Sequence, residues 1–529
     1  MTEPVLLTGA SGQICVGLAR AMAEAGIPLR LTDRVPFPDP LPPGTRFTQG
    51  ELADPALLRG LAQGCRAVVH LGGISGETGF ARILRANILG AHHALEAARL
   101  ARCGFIYAGS NHAIGMHPAG TDLPVRCAFR PDGYYGLSKA FGELQVQAHH
   151  RRTGLPVTSV RIGSCFPEPE DAAMRRTWLA PADMHALVLR ALDATGSHHI
   201  WGVSANPGLW WHHDDRDRIG WTPRDGTGRF PPAPPNPDPV SRKLTGGDFA
   251  AFGYHPEEKR RERDMAKDRP VLLTGASGAL GRMLARELSA AAVRLVLTDI
   301  APFPDALPPG SRFEQADLED GIAILRLAES CRAILHFGGV SVERPFEEVI
   351  GPNIRGLYHV YEAARRERAR VLFASSNHAI GFHERSETLD ITCALRPDGY
   401  YGLSKAYGEL MGRLYWDKHG VESVVVRIGS CFPEPRDARM LHTWLSYPDL
   451  ARLCLATLAA PEVGYARIWG VGDNPDAWWV EDDRARIGWQ PHDGTAPFRD
   501  ALAGKTSDDA VAERFQGGAF CSMGYSRGD

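Results

Sequence analysis

Short apolar runs alternate with amphipathic stretches along the whole chain, and the alternation is written twice. Each half runs VLLTG, a helical stretch, a run ending in aspartate (LRLTD or RLVLTD), AVVHLGG or AILHFGG, then FIYAGS or VLFASS. Strands alternating with helices predict βαβ units and a parallel sheet. VTSVRIGS and SVVVRIGS predict a sixth strand, followed by IWGVSAN and IWGVGDN. The predicted fold class is therefore α/β, with two tandem doubly wound parallel-sheet domains, each carrying a small C-terminal substrate-binding part.

Val5 to Trp178 matches Val271 to Trp444 at one offset, 401 − 135 = 266 between the tyrosines of the two YYGLSK strings. A gap-free repeat of that length is a duplicated domain rather than a solenoid unit. The reading places a first domain at 1–230, a connector at 231–269 and a second domain at 270–529. PPAPPNPDP is proline-dense and extended, and PEEKRRERDMAKDRP is charged, so both read as linker. Between them KLTGGDFAAFGY is echoed near the C-terminus by RFQGGAFCSMGY. Each domain is thus expected to keep its own tail, packed on a neighbouring subunit or on the other copy.

Lys plus Arg number 59 and Asp plus Glu 62, a net charge of −3. No basic field marks the chain for nucleic acid, and a small molecule is the expected partner. Ten cysteines occur without CxxC spacing, and Cys65, Cys127 and Cys165 recur as Cys331, Cys393 and Cys431. That pattern reads as inherited packing in a reducing cytoplasm, not a disulfide framework. MTEPVLLTGA has no export signal, and no run is long and apolar enough to span a bilayer, so no membrane is expected.

TGASGALG follows a strand and opens a helix, so Gly275, Gly278 and Gly281 would let backbone N–H groups approach a pyrophosphate in a Rossmann-like domain. Asp299 ends the next strand, where a carboxylate accepts from both ribose hydroxyls and repels a 2′-phosphate, which favours NAD. Asp317 and Leu318, after the following strand, are placed to reach the adenine amino group. The first copy keeps Gly9, Gly12 and Asp33, but Cys15 replaces the third glycine and Glu51 stands where Asp317 does. A side chain at the third glycine should push the helix outward and weaken dinucleotide binding.

Tyr401 and Lys405 stand at i and i+4, on one helix face. An adjacent ammonium favours the phenolate, so the lysine is expected to make the tyrosine usable as a base. Ser376 is suited to orienting a substrate oxygen, and Asn353 to holding a proton-relay water. The first copy retains all four as Tyr135, Lys139, Ser110 and Asn87.

Glycine loop, strand-end aspartate, serine and YxxxK together resemble the extended short-chain dehydrogenases/reductases, the NAD-dependent epimerase/dehydratase family. Within it, HFGGVSVERPFEEVIGPNIRGLYHVYEAAR, FASSNHAIG, RPDGYYGLSKAYGE, VRIGSCFPEPRDARMLHTW and RFQGGAF are similar to the uronate dehydrogenase branch across essentially the whole second copy. That resemblance implies oxidation of the anomeric carbon of galacturonate or glucuronate to an aldarolactone with NAD. It implies sugar contacts from Ser341, Ser376, Asn377, His378 and Ser430, and a bidentate grip by Arg439 on the uronate carboxylate. Ser75, Asn111, His112 and Ser164 recur in the first copy, but Arg439 becomes Ala173 (439 − 266 = 173), with Arg175 and Arg176 near enough to swing in. Unequal halves are expected, the second the competent one. The alternatives are a nucleotide-sugar epimerase/dehydratase, against which each copy is short after its YxxxK helix, or a non-catalytic NAD-binding sensor, against which both copies keep Tyr and Lys.

The pairs His92-His93, His149-His150, His198-His199 and His212-His213 have no counterparts in the second copy and read as solvated rather than metal-binding. Trp210-Trp211 and Trp478-Trp479, with Trp221 and Trp489, read as core or rim packing, with room for one beside a sugar. Members of the resembled family commonly dimerise through the YxxxK helices, so an intrachain pseudo-dimer and further homo-oligomerisation are expected.

Overall fold

The six apolar runs named in each half become strands of one parallel sheet, and a largely polar edge strand, TRFTQ or SRFEQ, makes the seventh. In the first half these are β1 (Val5–Thr8), β2 (Leu29–Asp33), β3 (Thr45–Gln49), β4 (Ala67–His70), β5 (Gly104–Ser110), β6 (Val157–Ile162) and β7 (Ser197–Gly202), ordered β3-β2-β1-β4-β5-β6-β7. In the second they are β8 (Val271–Thr274), β9 (Leu295–Asp299), β10 (Ser311–Gln315), β11 (Ala333–His336), β12 (Arg370–Ser376), β13 (Ser423–Ile428) and β16 (Tyr465–Gly470), in the same order. β14 (Ser430–Cys431) and β15 (Trp444–Leu445) form a separate parallel pair. Strand order reverses between β1 and β4, and between β8 and β11. At such a switch point the chain leaves a crevice at the carboxyl ends of the strands.

These coordinates come from a computed structural model that describes residues 3–254, 266 and 268–527. The chain divides into two units, Met1–Tyr254 with Ser526–Asp529, and His255–Tyr525. The proline-dense stretch from Pro231, read as connector, therefore belongs to the first unit. Ala172 N donates to Pro234 O at 3.0 Å, and Leu244 bridges Pro118 antiparallel. Residues 255–265 and 267 of the charged linker lie outside the described residues.

Helices cover both faces of each sheet, which is why β1 and β8, each reading VLLT, can be buried at every position. The Gln13–Glu24 helix turns Cys15, Leu18, Ala19 and Met22 inward, three to four residues apart. Each large side chain so buried contributes about 1.5–3 kcal/mol. The helices that carry the two YxxxK motifs, Tyr134–Thr153 and Tyr400–His419, are buried along most of their length. Each ends at a left-handed glycine, Gly154 or Gly420. Buried ion pairs fasten them to the sheets: Arg161 to Glu143 at 2.9 Å, and Arg427 to Glu409 at 2.8 Å.

Five of the eight paired histidines are buried rather than solvated. His92 bonds Gln145 at 2.8 Å, His93 bonds Leu52 O at 3.1 Å, and His149, His198 and His199 also lie inside. His150 is half-buried, and only His212 and His213 are exposed. Tertiary packing overrode their polarity. Trp211 stacks on Trp201 at 4.5 Å and Trp479 on Trp469 at 5.0 Å, so these are core residues, as are Trp221 and Trp489. All ten cysteines are free thiols. Among the described residues no helix is long and apolar enough to cross a membrane.

Candidate active site

The glycine loop is shaped by close backbone approach. A β-carbon on Gly275, at φ +73°, would lie 2.6 Å from Gly338 N, and one on Gly281 would lie 2.0 Å from Gly275 O. Cys15 carries such a carbon in the first unit and is buried, its sulfur 4.0 Å from Thr8 O. The two loops therefore cannot be superimposable at this turn. Both strand-end aspartates brace their loops: Ser277 N donates to Asp299 at 3.0 Å, and Ser11 N to Asp33 at 3.1 Å. Each half-buried carboxylate keeps lone pairs for ribose hydroxyls. Gly9, Gly12, Cys15, Asp33 and Glu51 line one cavity of about 860 Å³, whose far end is reached by Tyr135 and Lys139. That glycine-floored crevice, with an acid at the second strand, fits a dinucleotide. Asp317 is exposed and accepts from Glu319 N at 2.9 Å, while Leu318 packs against Gly356 and its carbonyl accepts from His359 at 2.9 Å. Glu51 instead pairs with Arg85 at 3.1 Å.

Tyr401 and Lys405 share a face in the first turns of their helix. Glu343, which the sequence did not single out, caps that helix: its two carboxylate oxygens accept from Tyr400 N at 2.8 Å and Tyr401 N at 2.9 Å. Glu77 does the same for Tyr134 and Tyr135. Lys405 Nζ donates to Ala374 O at 2.8 Å and sits 5.5 Å from the Tyr401 ring centre. Burial raises the Tyr401 phenol to about 12, Ser376 opposing and Asp398 reinforcing the rise. Burial also lowers Lys405 to about 8. Tyr135 and Lys139 show the same pair of shifts. In the protein by itself desolvation dominates at the phenol, and the hydrogen bond with Ser376 opposes it.

Asn353 sits in a π-helical turn, Ile350–Arg355, matched by Asn87 in Leu84–Leu89. Such turns often mark functional positions. Its amide accepts from Val340 N at 2.7 Å and donates to Val340 O and to Ser404 Oγ, both at 2.9 Å. Asn87 binds Ile74 and Ser138 identically. With these partners the amide ties the 338–341 loop to the tyrosine helix. Ser341 and Ser75 are exposed on those loops, and Ser75 lines the cavity.

His378 Nδ1 bonds Asp398 at 2.6 Å, and its ring meets Tyr401 edge-on at 5.6 Å. Asp398 is fully buried, and its second oxygen has no hydrogen-bond partner. Asp132 holds His112 in the same way at 2.7 Å. The opposite face of each histidine is covered by the tail: Phe520 stacks on His378 at 4.0 Å and Phe249 on His112 at 4.1 Å. Each tail thus packs on its own copy, correcting the expectation of a neighbouring subunit or the other copy.

Arg439 is half-buried beside these groups. Its Nε and Nη2 donate to Gln516 O at 2.9 and 2.6 Å, and Nη1 donates to Ser430 Oγ at 3.2 Å. With its oxygen toward the guanidinium, Asn377 accepts from Nη2 at 2.7 Å. Burial lowers the proton affinity of Arg439, only partly countered by Asp437, and no carboxylate among the described residues pairs with it. In the first unit Ser110 accepts from His112 N at 3.2 Å, Asn111 is buried next to it, and Ser164 bonds Thr177 at 3.1 Å. Neither nearby arginine replaces Arg439. Arg175 is tied to the carbonyls of Thr227, Phe230 and Pro231, and Arg176 to that of Gly208.

A dinucleotide crevice beside a buried tyrosine, lysine and serine defines a nicotinamide-dependent short-chain enzyme, and the chain belongs to the NAD dependent epimerase/dehydratase family, whose model matches residues 5–202 and 271–447. It is similar to the uronate dehydrogenase of Pseudomonas syringae pv. tomato, 48% identical over 257 residues, which is 48% of this chain and 94% of that protein. Against the uronate dehydrogenase of Agrobacterium fabrum the identity is 43% over 255 residues, 47% of this chain and 96% of that one. A crystal structure of uronate dehydrogenase from Agrobacterium tumefaciens matches at 42% identity and a TM-score of 0.46, covering 48% of this chain and 97% of that one. The chain is an NAD-dependent oxidoreductase built as a tandem duplication of a uronate dehydrogenase-like unit.

Proposed function

We propose that this chain oxidises the anomeric carbon of a hexuronic acid, galacturonate or glucuronate, to an aldarolactone, and that the second unit does so. The observation that carries the reading is Arg439, a half-buried guanidinium without a carboxylate partner that touches Ser430 and Asn377 next to the tyrosine. Its positive charge and the remaining Nη1 N–H suit a carboxylate and have no task toward a neutral hexose.

NAD, held by the glycine loop and Asp299, supplies the hydride acceptor. Tyr401 takes the proton of the anomeric hydroxyl, Ser376 orients that oxygen, and Lys405 offers its ammonium beside the ring. Asp398 fixes His378 so that the imidazole faces the sugar with a set orientation. Phe520 closes the pocket against water. The thiols, all free, fit a reducing cytoplasm.

Tyr401→Phe and Tyr135→Phe, assayed separately on galacturonate by NADH formation, test the assignment. Loss in the first with retention in the second is expected. Full uronate oxidation by Tyr401→Phe overturns it.

A further inference from the structure

Three changes at the sugar end of the first unit point one way. First, the clamp is gone and its room is open. A β-carbon on Gly518 would stand 3.0 Å from both Cδ and Nε of Arg439, whereas one on the matching Gly247 would meet nothing within 4 Å. Second, the tail offset is 520 − 249 = 271, so Ala519 corresponds to Asp248, and this acid lines the first unit's cavity. One oxygen of Asp248 accepts from Asn236 at 2.8 Å and from Ser241 at 2.7 Å, which leaves the other free to receive a donor. Asn236 lines the same cavity and comes from the proline-dense segment. Third, Trp478 is covered by His442, stacked at 4.5 Å, and by Arg385. Its counterpart Trp210 has Arg176 and Ala119 at those positions, is half-buried and faces the cavity.

We propose that the first unit is an aldose 1-dehydrogenase for an uncharged aldopyranose. A cation has been exchanged for an anion, so a uronate carboxylate would meet Asp248 with no guanidinium to hold it. A hydroxymethyl group in its place donates to that carboxylate, and the open indole of Trp210 suits the apolar C–H face of a pyranose. The reaction balances as in the second unit: the anomeric C–H would give hydride to an oxidised nicotinamide dinucleotide, the O–H proton passes to the Tyr135 phenolate, and the new C=O leaves an aldonolactone. This proposal rests on the dehydrogenase reading above.

The test uses the full chain with Tyr401→Phe, which leaves the first unit to work alone, and D-galactose, D-glucose, D-glucosamine and D-galacturonate as probes. Oxidation of galactose or glucose with kcat/KM at least about tenfold above galacturonate is expected. Adding Asp248→Asn should raise KM for the aldose more than it lowers kcat, and adding Ala173→Arg with Asp248→Ala should turn preference toward galacturonate. Preference for galacturonate in Tyr401→Phe, activity on glucosamine only, or activity on none of the four overturns the proposal. Tyr135→Phe run in parallel separates the two readings: its failure on galacturonate counts against the second unit's assignment and leaves this one standing.

Discussion

Asn353 donates to Ser404 Oγ at 2.9 Å, and Ser404 in turn donates to Tyr401 O at 2.7 Å. Two side chains thereby couple the loop after β11 to the residue proposed as base. Asn353→Ala should strand both polar groups of Val340 and cost about 1–3 kcal/mol. The expected outcome is a lower Tm together with a kcat reduced by about tenfold or more on the second unit's substrate, since misplacement at this scale is felt in the chemistry. Unchanged kcat would show that the tie is structural only.

Arg439→Lys separates charge from geometry. Lysine keeps one positive charge but cannot hold Gln516 O, Asn377 and Ser430 together while still donating to a carboxylate. In the Tyr135→Phe background, uronate kcat/KM should fall about 10²-fold, chiefly through KM, with Arg439→Ala falling further.

Glu343→Gln keeps the size of the cap and removes its charge from a helix N-terminus. The expected cost is about 0.5–2 kcal/mol, read by chemical unfolding, with Glu343→Ala at the upper end. Glu77 should behave alike in the first unit.

The glycine loop gives reciprocal changes. Gly281→Cys forces a β-carbon against Gly275 O and should weaken NADH binding at the second unit by at least about tenfold. Cys15→Gly should tighten it at the first. Fluorescence titration on each Tyr→Phe background reads both.

Acid should destabilise the chain through two buried histidines. His70 and His336, each bonded to a threonine hydroxyl at 2.8 Å, are lowered by burial from 6.5 to about 3. Between those values the unfolded chain binds protons that the folded one refuses, so stability is full above pH 6.5 and declines as pH falls toward 3. Each contributes a slope of about 1.4 kcal/mol per pH unit in that window. His336→Gln should flatten the dependence when urea midpoints are compared at several pH values.

The parallel α/β class, the glycine loops and the i, i+4 pair of tyrosine and lysine were legible because each is local in sequence or follows from period. What was not legible depends on contacts made across long separations. Asp398 hides within RPDGYY as one acid among many, and its position matters only because Gly381, Gly402 and Gly517 close over it in the fold. The tie made by Asn353 was hidden because its partners are the backbone of Val340 and the hydroxyl of Ser404, which no pattern announces. The tails were recognised as repeats, but their destination depends on folding back more than a hundred residues. The histidine pairs were misread because polarity says little once the fold supplies a partner, as Gln145 does for His92 and Leu52 O for His93.

Gly246 N returns to Gly115 O at 2.8 Å, and Gly517 N to Gly381 O at 2.9 Å, so each tail closes a ring within its own half. Duplication in this form places two sites on one transcript, always made in equal amounts, and each is closed by a tail that can change without altering the closure of its sibling.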